Sequence, residues 1–193
     1  MNFKETQTHE HEHGHHHGFV KIYFKVGVNL IRFLKRFFTY LTNSITWLQF
    51  FKAFIIMETF FRIAPRFHLP RIDYLTINGT LFLKLGIIAS FIGAIMFYSG
   101  AVFWSTLYKT LASTSERPNS LFYIKFGSAL FLLSSLLVMP LVGVVNPQMR
   151  RGVVKKPGIL GLGLNGWKTP LSNLVAHLLF AFYIERKTQI MSW

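Results

Sequence analysis

Two stretches of this chain run for 24 positions each without a charged residue, Leu85–Tyr108 and Phe126–Met149. A helix of about 20 predominantly apolar residues already crosses the hydrocarbon of a bilayer. A run that is apolar around its whole circumference has to be hidden from water on every side. Cations bracket both runs, Lys84 and Lys109 around the first, Lys125 and Arg150 around the second. The pattern predicts two membrane-spanning helices. Tyr98, Trp104 and Tyr108 fall towards the end of the first, where interface aromatics belong. Gly86, Ser90, Gly93 and Gly100 share one face of it, a stripe that lets another helix approach closely. Pro140 and Gly143 weaken the second run, and Pro147 ends it.

Composition agrees with that start. Charged residues make up 15% of the chain, against about 25% in soluble domains. A water-soluble fold is therefore disfavoured. The 21 Lys and Arg against 7 Asp and Glu give a net charge of +14. In so apolar a chain, that excess points to anionic lipid before nucleic acid. Cysteine is absent, which excludes disulfides, thiolate-ligated metals and a thiol nucleophile. Asp73 is the sole aspartate, so no Ser/His/Asp grouping exists. No pair of intramembrane carboxylates and no internal repeat is seen, and a coupled carrier usually shows both. The expectation is a protein that is not an enzyme.

Around the two runs the chain divides further. Residues 1–18 are polar and His-rich, with no apolar periodicity and no secretory cleavage pattern, and are expected to be disordered. Residues 19–41 carry Lys21, Lys25, Arg32, Lys35 and Arg36 within about 100° of one helical face. Apolar residues fill the rest, as in a basic amphipathic helix lying in the headgroup plane. Residues 42–193 are expected to form the transmembrane bundle. Thr42, Asn43 and Ser44 break the first helix. Residues 45–64 follow as an apolar helix with Lys52, Glu58 and Arg62, which spans or lies shallow, and the four-residue spacing lets Glu58 pair with Arg62. Pro65, Pro70 and Asn78-Gly79 mark a connection. Residues 112–119 read as a polar loop, and 146–170 as a Gly/Pro-rich basic one. A last helix runs from about Pro170 to Ile184, ending at Glu185, Arg186 and Lys187. The fold class expected is all-α: a polytopic membrane protein with three or four transmembrane helices preceded by an interfacial helix.

Candidate sites are few. His9, His11, His13, His15, His16 and His17 supply imidazoles suited to zinc, nickel or copper, although alternation fixes no geometry. His177 sits midway along the last helix, where an ionisable group marks function by default. It would hydrogen-bond a neighbouring helix or ligate haem, with Met57, Met96 or Met139 as the second axial ligand. Arg150, Arg151, Lys155 and Lys156 cluster at a span end and, with the five cations of residues 19–41, are candidate contacts for phospholipid headgroups. Gly161, Gly163 and Gly166 match a dinucleotide fingerprint in spacing alone, since no strand precedes them.

One stretch, Met57–Phe82, resembles the first helix and loop of small YagU-like bacterial inner-membrane proteins through Ala64, Pro65, Leu69, Pro70, Asp73 and Gly79. Leu132–Gly143 is similar to their third helix and Val175-Ala176-His177-Leu178 to their last. The resemblance covers roughly residues 50–183 and implies a four-helix topology without an activity. The expected role is a non-catalytic accessory subunit of a larger membrane complex, respiratory or otherwise energy-transducing, bound to lipid and partner helices. A small transporter or metal-handling protein using the His tract, or a haem-binding subunit through His177, is the alternative. The expected location is a bacterial or mitochondrial inner membrane.

Overall fold

The computed structural model describes the backbone of residues 9–114 and 121–190, and the side chains of residues 26–43, 46–114 and 121–186. Every regular element among them is helical. The main helices are α1 (His9–Thr42), α2 (Ser44–Ile63), α3 (Tyr74–Gly79), α4 (Ile87–Thr114), α5 (Phe122–Val145) and α6 (Lys168–Ile190). By length and composition, α4 and α5 are able to cross a membrane.

The first helix begins at His9, not at Phe19. Residues 9–18, read from the sequence as part of a disordered tail, are described as helix, and residues 1–8 lie outside the described ones. The tract holds two glycines and no Pro, so no proline stops the helix of residues 19–41 from propagating backwards. Over the residues whose side chains are described, α1 exposes Arg32, Lys35 and Arg36 together with Leu30, Ile31, Leu34 and Phe38. Phe37 anchors it on α4, its ring 5.9 Å from that of Phe103.

The connection between α2 and α4 holds more structure than its prolines and Asn78-Gly79 predicted. Asp73 caps α3, its Oδ1 accepting from the Thr76 backbone N–H at 3.0 Å and its Oδ2 from the Thr76 hydroxyl at 2.9 Å. The short helix then lies against the first half of α4 with no side chain between them. A Cβ on Gly79 would fall 1.6 Å from the Ala89 carbonyl oxygen, and one on Gly93 would fall 1.7 Å from that of Leu75. The small-residue stripe is thus used at Gly93, while Gly86 and Gly100 meet nothing within 4 Å. The helix that approaches is six-residue α3 rather than another span.

Helix α5 passes through Pro140 without a break. A proline lacks the N–H for its helical bond and crowds the carbonyl four residues back. The turn Ser134–Val138 is widened to π geometry just before it, which makes that room. The helix ends at Val145, four residues short of Met149, because Asn146 turns extended and caps the short helix Pro147–Arg150. Its Oδ1 accepts from the backbone N–H groups of Gln148 and Met149, at 2.9 and 3.3 Å. The glycines at 161, 163 and 166 serve the loop that follows. A Cβ on Gly163 would fall 2.4 Å from the Lys156 carbonyl oxygen.

Aromatic and polar contacts set the directions of the long helices. Near the end of α4, the Tyr108 ring packs 5.2 Å from Phe122 and 4.9 Å from Phe126 at the start of α5. Its hydroxyl donates to Glu185 near the end of α6. Helices α4, α5 and α6 therefore alternate in direction. Helix α2 packs on both α4 and α6, and α6 packs along α5. Away from Tyr108, α4 and α5 diverge. Their outward faces carry Ile87, Ile88, Phe91 and Ile95 on one, and Leu136, Leu137, Leu141 and Val144 on the other, all exposed. Apolar stripes of that extent are uncommon on soluble monomers.

The backbone contact of α3 with α4 yields a direct prediction. Gly93→Ala should lower stability by about 1–3 kcal/mol, as overpacking does. Gly100→Ala, with open space and better helix propensity, should leave it unchanged or raise it by up to about 1 kcal/mol. Thermal unfolding in mild detergent reads both.

Candidate functional site: a side-opening cavity at His177

The site starts from an asparagine in an apolar helix. Asn173 lies fully buried in α6. Its Oδ1 accepts from the Tyr74 hydroxyl of α3 at 2.8 Å, and its Nδ2 donates to the Ser135 hydroxyl in the widened turn of α5 at 2.8 Å. One carboxamide thus ties three helices. Burial pushes the Tyr74 phenol up from its ordinary value, against a smaller opposing hydrogen bond with Ser134, so it stays protonated and donating.

One turn later on α6, His177 Nδ1 lies 2.8 Å from the Asn173 carbonyl oxygen. A carbonyl only accepts, so Nδ1 carries the proton. No carboxylate lines the space the ring faces, and apolar walls hold the imidazole neutral. Nε2 then carries a lone pair. The orientation is fixed by the bond at the other nitrogen, as in imidazoles held for a ligand.

The space is a cavity of about 190 Å³ where α4 and α5 diverge, backed by α2, α3 and α6. Met96, Phe97, Gly100, Ala101 and Trp104 line it from one helical face of α4, and Leu130, Leu133, Ser134, Val138, Met139 and Val142 from α5. Phe54, Met57, Tyr74, Ile77 and Phe180 close the back. The three methionines weighed as second haem ligands thus share one cavity with His177. Typical cofactor pockets hold roughly 300–1,000 Å³. This cavity has the size of one ring rather than of a macrocycle.

The remaining sequence candidates do not converge on it. Arg150, Arg151, Lys155 and Lys156 are exposed after the end of α5. Arg32, Lys35 and Arg36 lie at the opposite end, where Arg36 donates to the Ser113 carbonyl at 2.7 Å. The two basic groups therefore bracket the bundle. The side chains of Lys21, Lys25 and the six histidines of residues 9–17 lie outside the described residues. Among the described residues, no three His, Asp or Glu come together as a metal site. Glu58 pairs with Arg62 at 2.9 Å, as the spacing predicted.

Several polar residues outside the cavity were missed as contacts between helices. Lys109, taken as a flanking cation, is buried, donating to Gln49 at 2.6 Å with its ammonium 5.3 Å from the Phe50 ring centroid. Glu185, taken as a helix end, is buried against Tyr108. Asn146 donates from Nδ2 to the Ile77 carbonyl and the Thr80 hydroxyl, holding α3 from the far end of α5. Asn, Ser and Thr within apolar helices are interhelical contacts by default, and that signal was there to use.

No protein-family model, curated protein or solved structure matches the chain. Fold and site therefore define it by class alone: an all-helical protein with two helices able to cross a membrane and an apolar cavity opening between them.

The node at Asn173 is testable by a double-mutant cycle. Tyr74→Phe and Asn173→Leu should each destabilise by about 1–3 kcal/mol, since each strands a buried partner. Combined, they should lose less than the sum, with a coupling of roughly 0.5–2 kcal/mol. Thermal unfolding of the four proteins in detergent measures it, and simple additivity would show that the two groups do not interact.

Proposed function

We propose that the chain is an integral membrane protein of three or four spans, acting as a non-catalytic accessory subunit that binds lipid and partner helices within a larger membrane complex. One observation carries this reading. The two most apolar helices diverge, present apolar stripes outward, and leave a cavity open between them. Those surfaces suit acyl chains and the helices of other subunits. Helix α2 joins the spans with Glu58 and Arg62 neutralising each other, and α6 joins them with Glu185 satisfied by Tyr108. Helix α1 lies at the interface, its exposed cations towards headgroups and its exposed apolar residues towards acyl chains. A bacterial or mitochondrial inner membrane, rich in anionic lipid and in energy-transducing assemblies, fits that charge. The four-helix topology of the YagU-like proteins is consistent with this layout.

Extraction from the native membrane in mild detergent should yield a large, colourless assembly whose partners mass spectrometry identifies. An isolated monomer that retains the cellular function overturns the reading. The charged ends give a second test. Phosphatidylglycerol should raise Tm of the detergent-solubilised protein. Replacing Arg150, Arg151, Lys155 and Lys156 with Gln, or adding 0.5 M salt, should remove most of that gain, because exposed charges are screened beyond about 10 Å already at 0.1 M.

A further inference from the structure

The cavity at His177 has an asymmetry that lipid tails do not require. Acyl chains ask only for apolar walls. Here Nε2 of a side chain only 8% exposed has no hydrogen-bond partner among the described residues. The ring cannot turn away to find one. Its Nδ1–H is committed to the Asn173 carbonyl, and Asn173 is tied to Tyr74 and Ser135. A fixed lone pair in an apolar cavity calls for a molecule that brings a donor.

The walls indicate what carries that donor. Phe54, Tyr74, Phe97, Trp104 and Phe180 give the cavity aromatic faces on several sides. The Tyr74 and Phe97 rings are stacked at 5.3 Å. An engineered apolar cavity of about 150 Å³ takes up benzene. About 190 Å³ therefore holds one ring with its hydroxyl. Any longer substituent has its exit where α4 and α5 diverge.

We propose that this cavity binds a membrane-soluble hydroxyaromatic, a phenol or hydroquinone ring, whose hydroxyl donates to His177 Nε2 and whose tail leaves between α4 and α5. The inference rests on the reading of the chain as membrane-embedded. It does not depend on a partner complex.

The test uses the full chain in phosphatidylcholine nanodiscs, with tritiated probes and protein-free nanodiscs as background. 4-Nonylphenol and 4-nonylanisole are nearly the same shape, and only the first has a donor. The phenol should bind at least about 10-fold more tightly, a difference of about 1.4 kcal/mol. His177→Phe should keep the protein inserted and shrink that preference below about twofold. Gly100→Leu, whose side chain enters open space at the cavity wall, should abolish binding of both probes. It decides the matter even where His177→Phe does not fold. 4-Methylphenol should bind more weakly than the nonyl compound, and equal affinity overturns the exit between the helices. Equal binding of phenol and anisole, a preference that survives His177→Phe, or phenol binding that survives Gly100→Leu overturns the proposal. Resistance of the protein to alkaline extraction from membranes reads insertion separately, so a failed ligand and a failed membrane assignment are told apart.

Discussion

The carboxamide of Asn173 is the point on which the arrangement hangs. A polar group stranded away from water is costly, so a buried amide has to find its partners in protein. Asn173 finds them on α3 and α5, and its own backbone carbonyl takes the proton of His177. Each bond alone is worth little, yet the loss of one leaves the others facing unpaired atoms. The node in turn depends on Tyr74 being at the right depth. That depth is set where Gly79 and Gly93 let α3 rest directly on the backbone of α4. A glycine contact on one side of the bundle thus decides which way an imidazole points on the other.

The sequence made some of this legible and hid the rest for physical reasons. The two charge-free runs announced α4 and α5 because 24 residues without a charge are long and apolar enough for an uninterrupted helix hidden from water. Both boundaries moved where a charge found a partner the sequence could not show. Lys109 continues α4 because the Gln49 amide oxygen, sixty residues away, accepts a hydrogen bond from its ammonium. Glu185 continues α6 because Tyr108 meets it. Helix α3 was hidden by its neighbours: two prolines and an Asn-Gly pair read as a connection, and Asp73 was weighed for catalysis instead of as a cap. His177 stood out as the one ionisable group in residues 171–182, the apolar part of its helix. Its tether, one turn earlier on α6, was equally visible as an Asn in an apolar stretch.

The cations form a symmetric pair of collars, and that symmetry has a structural origin. Arg32, Lys35 and Arg36 close one end of the bundle, and Arg150, Arg151, Lys155 and Lys156 the other. Within the helices, Glu58 pairs with Arg62, Lys109 bonds Gln49, Glu185 meets Tyr108, and Lys52 is exposed on α2. A charge pattern of this kind holds a bundle at a fixed depth and leaves its sideways association to shape. Under the membrane reading proposed above, that is the division of labour of a protein whose contacts are made within the plane of the bilayer.

The widened turn in α5 does more than accommodate Pro140. Leu130 and Met139 both face the interior. Nine residues at about 100° each would set them on opposite sides of a regular helix. The extra residue in Ser134–Val138 takes back about 100° of that rotation. The turn works as a phase corrector, like a spacer that re-times two halves of a screw. It keeps one inward face continuous along a helix whose residues would otherwise have spiralled out of register with α6.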